Sequence, residues 1–216
     1  MSANPTPRVV LLHGLGRSPA SMLPLSWRLQ RAGFLIRRIG YPSTRLSLAD
    51  AVAHVRHALT DLAGGPFHLV GHSLGGVIAA ALLRQERFTG LHRVVQLGSP
   101  NSGSPLAGRA LGFGVVRWAC GPALADIRAL KGPPDAHPDI ASVAGTGGWP
   151  ISGTGLTRPH DGAVTLVSAH AGAAHRAAAP VLHTLMPASA RVARLTATFL
   201  ADGAFPEADR WHPGGA

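Results

Sequence analysis

Residues 71 to 76 read Gly-His-Ser-Leu-Gly-Gly, a serine with glycine two positions before it and two after it. A serine hydroxyl is a poor nucleophile at neutral pH, so it needs a general base within hydrogen-bond reach and an acid that orients the base. The glycines answer a second requirement, because a side chain at the apex of a sharp strand-to-helix turn leaves no room for neighbours that carry a Cβ. Ser73 is therefore the candidate nucleophile. Its partners are expected downstream, acid first and histidine second, and Asp161 in RPHDGAVTLVSA and His183 in PVLHTLMP satisfy that order. His170, His175 and His212 compete with His183, and Asp135 and Asp139 with Asp161. His13, His68 and His72 come too early, and His72 is read as packing within the turn. A tetrahedral intermediate would also need donors for its oxyanion, usually backbone amides. The amide after the nucleophile, Leu74, and that of Leu15 in HGLG are the candidates.

The elements that would position these residues follow from periodicity. FHLV reads as a strand, GHSLGG as a turn and VIAAALLRQ as a helix, so the serine stands in a strand-to-helix context. Further apolar runs at 8–14, 34–41, 93–99 and 139–146, with a sixth at 179–183, alternate with helical spacing over 21–32, 47–63, 74–86 and 188–203. That alternation predicts an α/β fold, a mostly parallel sheet of about six strands with helices on both faces. Residues 101–138 break the pattern with glycines, prolines and a short helix at 123–130, and 147–162 is a long glycine-rich loop. The tail from Pro206 is polar and reads as loose.

Composition narrows the class. The 216 residues are 46% hydrophobic, enough for one sizeable core, and 1–216 is read as a single domain. Twenty basic residues face ten acidic ones, a net charge of +10. The arginines are scattered with no basic run, so nucleic acid is not an expected partner, whereas transient contact with an anionic membrane surface is compatible with the charge. The single cysteine, Cys120, permits no intramolecular disulfide and has no histidine nearby, so it reads as a small buried hydrophobe. With no signal peptide and no apolar run of about eighteen residues, a cytoplasmic location is expected and a secreted form stays open.

Five landmarks, VVLLHGLGRSPASM, HLVGHSLGGVIA, VVQLGSPNSGSPLA, PHDGAVTLVSA and VLHTLMP, occur in order and resemble those of the α/β-hydrolase superfamily, more narrowly small bacterial lipases and esterases. The resemblance implies Ser73 as nucleophile, Asp161 as acid, His183 as base and the amides of Leu15 and Leu74 as oxyanion hole. It implies a carboxylic ester substrate, from small soluble esters to acylglycerols, and no cofactor. The sheet is expected in a minimal form without the two antiparallel strands that open larger members. The missing secretory leader and disulfide point away from extracellular triglyceride digestion.

Residues 101–138 are the candidate lid or acyl-pocket insertion, with Leu106, Leu111, Phe113 and Trp118 as candidate substrate-binding residues. Asp135, His137 and Asp139 could offer metal ligands, but the intervening proline and the lack of a second cluster favour a polar loop and no metal. Thioester or amide hydrolysis and acyl transfer remain alternatives on the same residues, as does a binding protein that kept the fold without turnover. Acyl chain length and oligomeric state are not encoded in any motif.

Overall fold

The computed structural model describes residues 8–62, 65–85, 90–110, 112, 120–149 and 155–212. Strands β1 (Arg8–Leu12), β2 (Leu35–Ile39), β3 (Phe67–His72), β4 (Leu91–Leu97), β5 (His137–Gly145) and β6 (Ala173–Ala179) form one sheet in the order β2-β1-β3-β4-β5-β6. Every pairing is parallel. Parallel neighbours cannot be joined by a tight hairpin, so each connection crosses a face of the sheet, and helices cover both faces. These helices are α1 (Leu23–Arg31), α2 (Leu48–Ala58), α3 (Leu74–Arg84), α4 (Pro105–Ala110), α5 (Ala123–Ala129), α6 (Leu166–His170) and α7 (Ala190–Asp202).

Alternation along the strands divides the core in two. Val10 and Leu12 of β1 pack with Val55 of α2, Ile78 and Leu82 of α3 and Ile127 of α5. Val9 and Leu11 point the other way, into a cluster with Leu25 and Leu29 of α1 and Leu195 and Phe199 of α7. Local signals set the helix ends. Ser47 caps α2 by accepting from the Asp50 N–H at 3.1 Å, and α7 stops at left-handed Gly203 (φ 77°), whose N–H reaches the Phe199 carbonyl at 2.9 Å.

The strand order reverses between β1 and β3. The chain leaves β1 toward β2 on one side and leaves β3 toward β4 on the other, so the loops diverge and open a crevice at the carboxyl ends of the strands. A buried amide pair steadies that edge. Gln96 and Asn101 donate to each other at 2.8 and 2.9 Å, while Gln96 also donates to the Gly76 carbonyl and Asn101 to that of Ala169, joining α3, β4 and α6.

Two expectations change. The sixth strand is not 179–183 but Ala173–Ala179, and His183 instead opens a 3₁₀ turn, His183–Ala188. AAHRAAA hides its strand character because β6 lies at the sheet edge and alanine has little intrinsic β preference. The tail expected to be loose is tied down as far as His212. Arg210 forms a bridge to Ala177, and the Trp211 N–H donates to the Arg176 carbonyl at 2.8 Å.

Three buried histidines are held neutral. Burial pushes His72 and His170 down to about 3 and His68 to about 4, with nearby positive charge adding to each shift. In His170, Nδ1 meets Ser142 Oγ at 3.1 Å while Nε2 has no partner, so an added proton would be a buried charge without an acceptor. A histidine whose folded pKa lies below its unfolded value of about 6.5 gains stability above that value and loses it as pH falls, because the unfolded chain binds the proton first. Urea unfolding followed from pH 7 to pH 4 should show stability falling steeply below about pH 6.5, with these three histidines among the groups that take up protons on unfolding near pH 5.

Candidate active site

The β3–α3 turn places Ser73 at the crevice. Ser73 has φ 54° and ψ −120°, and no other non-glycine among the described residues has a positive φ. Such a backbone costs on the order of 1–3 kcal/mol and persists only where its surroundings impose it. Here the surroundings are other backbone. A Cβ on Gly71 would overlap the main chain of Gly75 and Gly76, and one on Gly75 would lie 2.5 Å from the Leu12 carbonyl and 2.6 Å from that of His13. The start of α3 thus lies directly on the ends of β1 and β3. Leu74 is the first residue of α3, where an N–H has no intrahelical acceptor.

The loop after β1 closes the other side. The Tyr41 hydroxyl donates to the His13 carbonyl at 2.5 Å and the two rings stack at 4.4 Å, while His13 Nδ1–H reaches the Gly14 carbonyl at 2.9 Å. Burial lowers the His13 pKa, which keeps the ring neutral, and burial raises that of Tyr41. The Gly16 N–H donates to Ser43 Oγ at 3.1 Å, fixing the turn that presents Leu15.

Asp161 and His183 meet on the same edge. Asp161 is buried, and its Oδ1 accepts from the Ala163 and Val164 N–H groups at 2.9 and 2.7 Å. Its Oδ2 accepts from His183 Nδ1 at 2.7 Å, and its carbonyl accepts the His183 N–H at 2.9 Å. Because an ionised carboxylate only accepts, this bond puts the ring proton on Nδ1 and leaves Nε2 with a free lone pair. The His183 carbonyl in turn accepts from His72 Nε2 at 2.9 Å.

A pocket of about 170 Å³ is lined by Leu15, Ser73 and His183, with Leu106 and Ala107 of α4, Leu124 and Ile127 of α5, and Val164 among its walls. The structure therefore brings together Ser73, Asp161, His183, Leu15, Leu74 and Leu106. Leu111, Phe113 and Trp118 lie outside the described residues. The competing residues are elsewhere: His170 bonds Ser142, His175 packs on Phe199, His212 lies 3.2 Å from Glu207, and Asp139 is at the amino-terminal end of β5. Cys120, expected to be buried, is only half-buried, packed against the edge of the core on the α2–α3 face. Among the described residues no cluster of three His, Cys, Asp or Glu could hold a metal.

Sequence reading missed two glycines under the Asp161–His183 bond. A Cβ on Gly98 (φ 56°) would lie 2.8 Å from Asp161 Oδ2 and 2.7 Å from Met186 Sδ, and one on Gly145 would lie 2.6 Å from Asp161 Cβ. Each follows or ends an apolar strand, but nothing local says which side chain crosses above it. The pocket walls on α5 were visible only as a short helix.

The alpha/beta hydrolase family model matches residues 9–215. The chain belongs to that family. Its fold is similar to that of a Bacillus licheniformis lipase in mature form, at 19% identity over 92% of each chain with a TM-score of 0.64. It is also similar to a hydrolase from Pseudomonas aeruginosa, at 16% identity over 91% of each chain and a TM-score of 0.60. At these identities the likeness shows the fold. No match was found among curated proteins.

The strain at Ser73 can be measured. Ser73→Gly and Ser73→Ala both remove the hydroxyl, but only glycine adopts this backbone freely, so urea unfolding should find Ser73→Gly more stable by about 1 kcal/mol.

Proposed function

We propose that the protein is a serine hydrolase that cleaves carboxylic esters through an acyl-enzyme. The observation that carries this reading is the 2.7 Å bond from His183 Nδ1 to buried Asp161, in a residue that shares a pocket with the strained Ser73. On this reading His183 Nε2 takes the Ser73 proton as Oγ attacks the ester carbonyl. The oxyanion of the tetrahedral intermediate accepts from the Leu74 and Leu15 amides. Collapse expels the alcohol, which leaves with the proton from His183. Water then attacks the acyl-serine with the same base, releasing the acid and restoring the hydroxyl. Asp161 holds the productive tautomer and faces the imidazolium as it forms.

The pocket supports a short acyl group. At about 170 Å³ it is well below the roughly 300–1,000 Å³ of sites for drug-sized ligands. Its walls of Leu106, Ala107, Leu124 and Ile127 offer apolar contact and few polar groups. A nitrophenyl ester series should show kcat/KM highest for the shortest acyl chains and falling as they lengthen, with Ser73→Ala inactive and unlabelled by a fluorophosphonate. Matched thioesters and amides, and an added acceptor alcohol, separate the alternative chemistries. If the wild type turns over none of these and Ser73 is not labelled, the enzyme reading fails.

Transient docking on an anionic membrane is a second proposal. Segments that follow the strands expose Trp149 (76%), Leu182 (37%) and Leu185 (52%), and other such segments carry exposed Arg17, Arg45 and Arg158. Among the described residues no helix is long and apolar enough to cross a membrane. Sedimentation should show more protein on anionic than on zwitterionic vesicles, with the difference shrinking as salt rises; equal retention on both would overturn the proposal.

A further inference from the structure

We propose that His72 is a positioning residue for the base: its Nε2–H holds the main-chain carbonyl of His183 and so fixes where the imidazole stands beside Ser73. The inference rests on the triad reading above.

Asp161 grips His183 at two points, the Nδ1–H and the backbone N–H, but Asp161 belongs to the loop after β5. Ser73 follows β3, and β4 lies between those strands. A grip by Asp161 alone leaves the register between base and nucleophile to the intervening strand. His72 joins the two directly, since it precedes Ser73 in the chain and its ring spans to the 3₁₀ turn, with Nε2 2.9 Å from the His183 carbonyl. The two rings lie 4.8 Å apart at 45°, so His72 also bounds the imidazole on one side.

The third neighbour of that ring is the loop that carries Leu15. A Cβ on Gly14 would lie 3.1 Å from His72 Nδ1 and 3.2 Å from Ser73 Cβ. One buried ring thus touches the turn of the nucleophile, the turn of the base and the turn of the proposed oxyanion donor. Donation from Nε2 to a carbonyl requires the proton on that nitrogen and leaves Nδ1 unprotonated. A neutral donor suits the position, because His183 becomes an imidazolium during catalysis and a second cation beside it would oppose that charge. Burial, with the nearby His183 as the next cause, lowers the pKa of His72 and keeps the ring neutral.

The test compares His72→Gln, which keeps an N–H donor at similar reach, with His72→Leu, which fills similar space without one. On a short-chain nitrophenyl ester, His72→Leu should lose about tenfold in kcat with KM changed by less than about twofold, and fluorophosphonate labelling of Ser73 should slow in parallel. His72→Gln should return to within about threefold of wild type. Equal rates in wild type and His72→Leu, or equal losses in both variants, overturn the positioning role. A wild type in which the probe does not label Ser73 overturns the triad instead and the inference with it. Independently of any variant folding, nitrogen-15 NMR of the wild type should show His72 neutral and Nε2-protonated from about pH 5 to about pH 9, and an Nδ1-protonated ring would overturn the proposal.

Discussion

The backbone of α3 lies so close to the ends of β1 and β3 that no Cβ fits at Gly71 or Gly75, and the position of Ser73, on which the site is centred, depends on that contact. It forces Ser73 into a conformation that L-residues avoid, at φ 54°, and lifts its side chain into the crevice between diverging loops. It also places the first amide of α3 next to the hydroxyl.

The opposite half of the site uses the same device. Asp161 and His183 cross the carboxyl ends of β4 and β5, and the positions beneath them are Gly98 and Gly145, where a side chain would displace the carboxylate. Hydrogen bonds then do what packing cannot. Three N–H donors, from Ala163, Val164 and His183, hold the Asp161 carboxylate, and the His183 main chain is held at both its N–H and its carbonyl. Backbone groups of the loop after β5 and of the 3₁₀ turn take part in most of these bonds.

Electrostatics reinforce the separation of roles. Burial lowers the pKa of the two histidines packed around the turns, His13 and His72, and the nearby Arg17 adds to the shift at His72. His183, half-buried at the pocket it shares with Ser73, faces the Asp161 carboxylate at 2.7 Å.

Much of this was legible in the residues. The Gly-x-Ser-x-Gly turn, the apolar runs of β1 to β5 and the chain order of Ser73, Asp161 and His183 are local patterns, and local sterics alone dictate glycine around a strained serine. Other features were not. β6 was hidden because an edge strand of alanine, histidine and arginine carries no apolar run, while the adjacent PVLH carries one and is a turn. Gly98 and Gly145, the α5 wall and the His72 bond involve residues far apart in sequence. Sequence by itself determined which groups could react and in what order they come. Only the tertiary structure decided which side chains meet, because that depends on strand order and on backbone approaches too close to admit a Cβ, which no local pattern encodes.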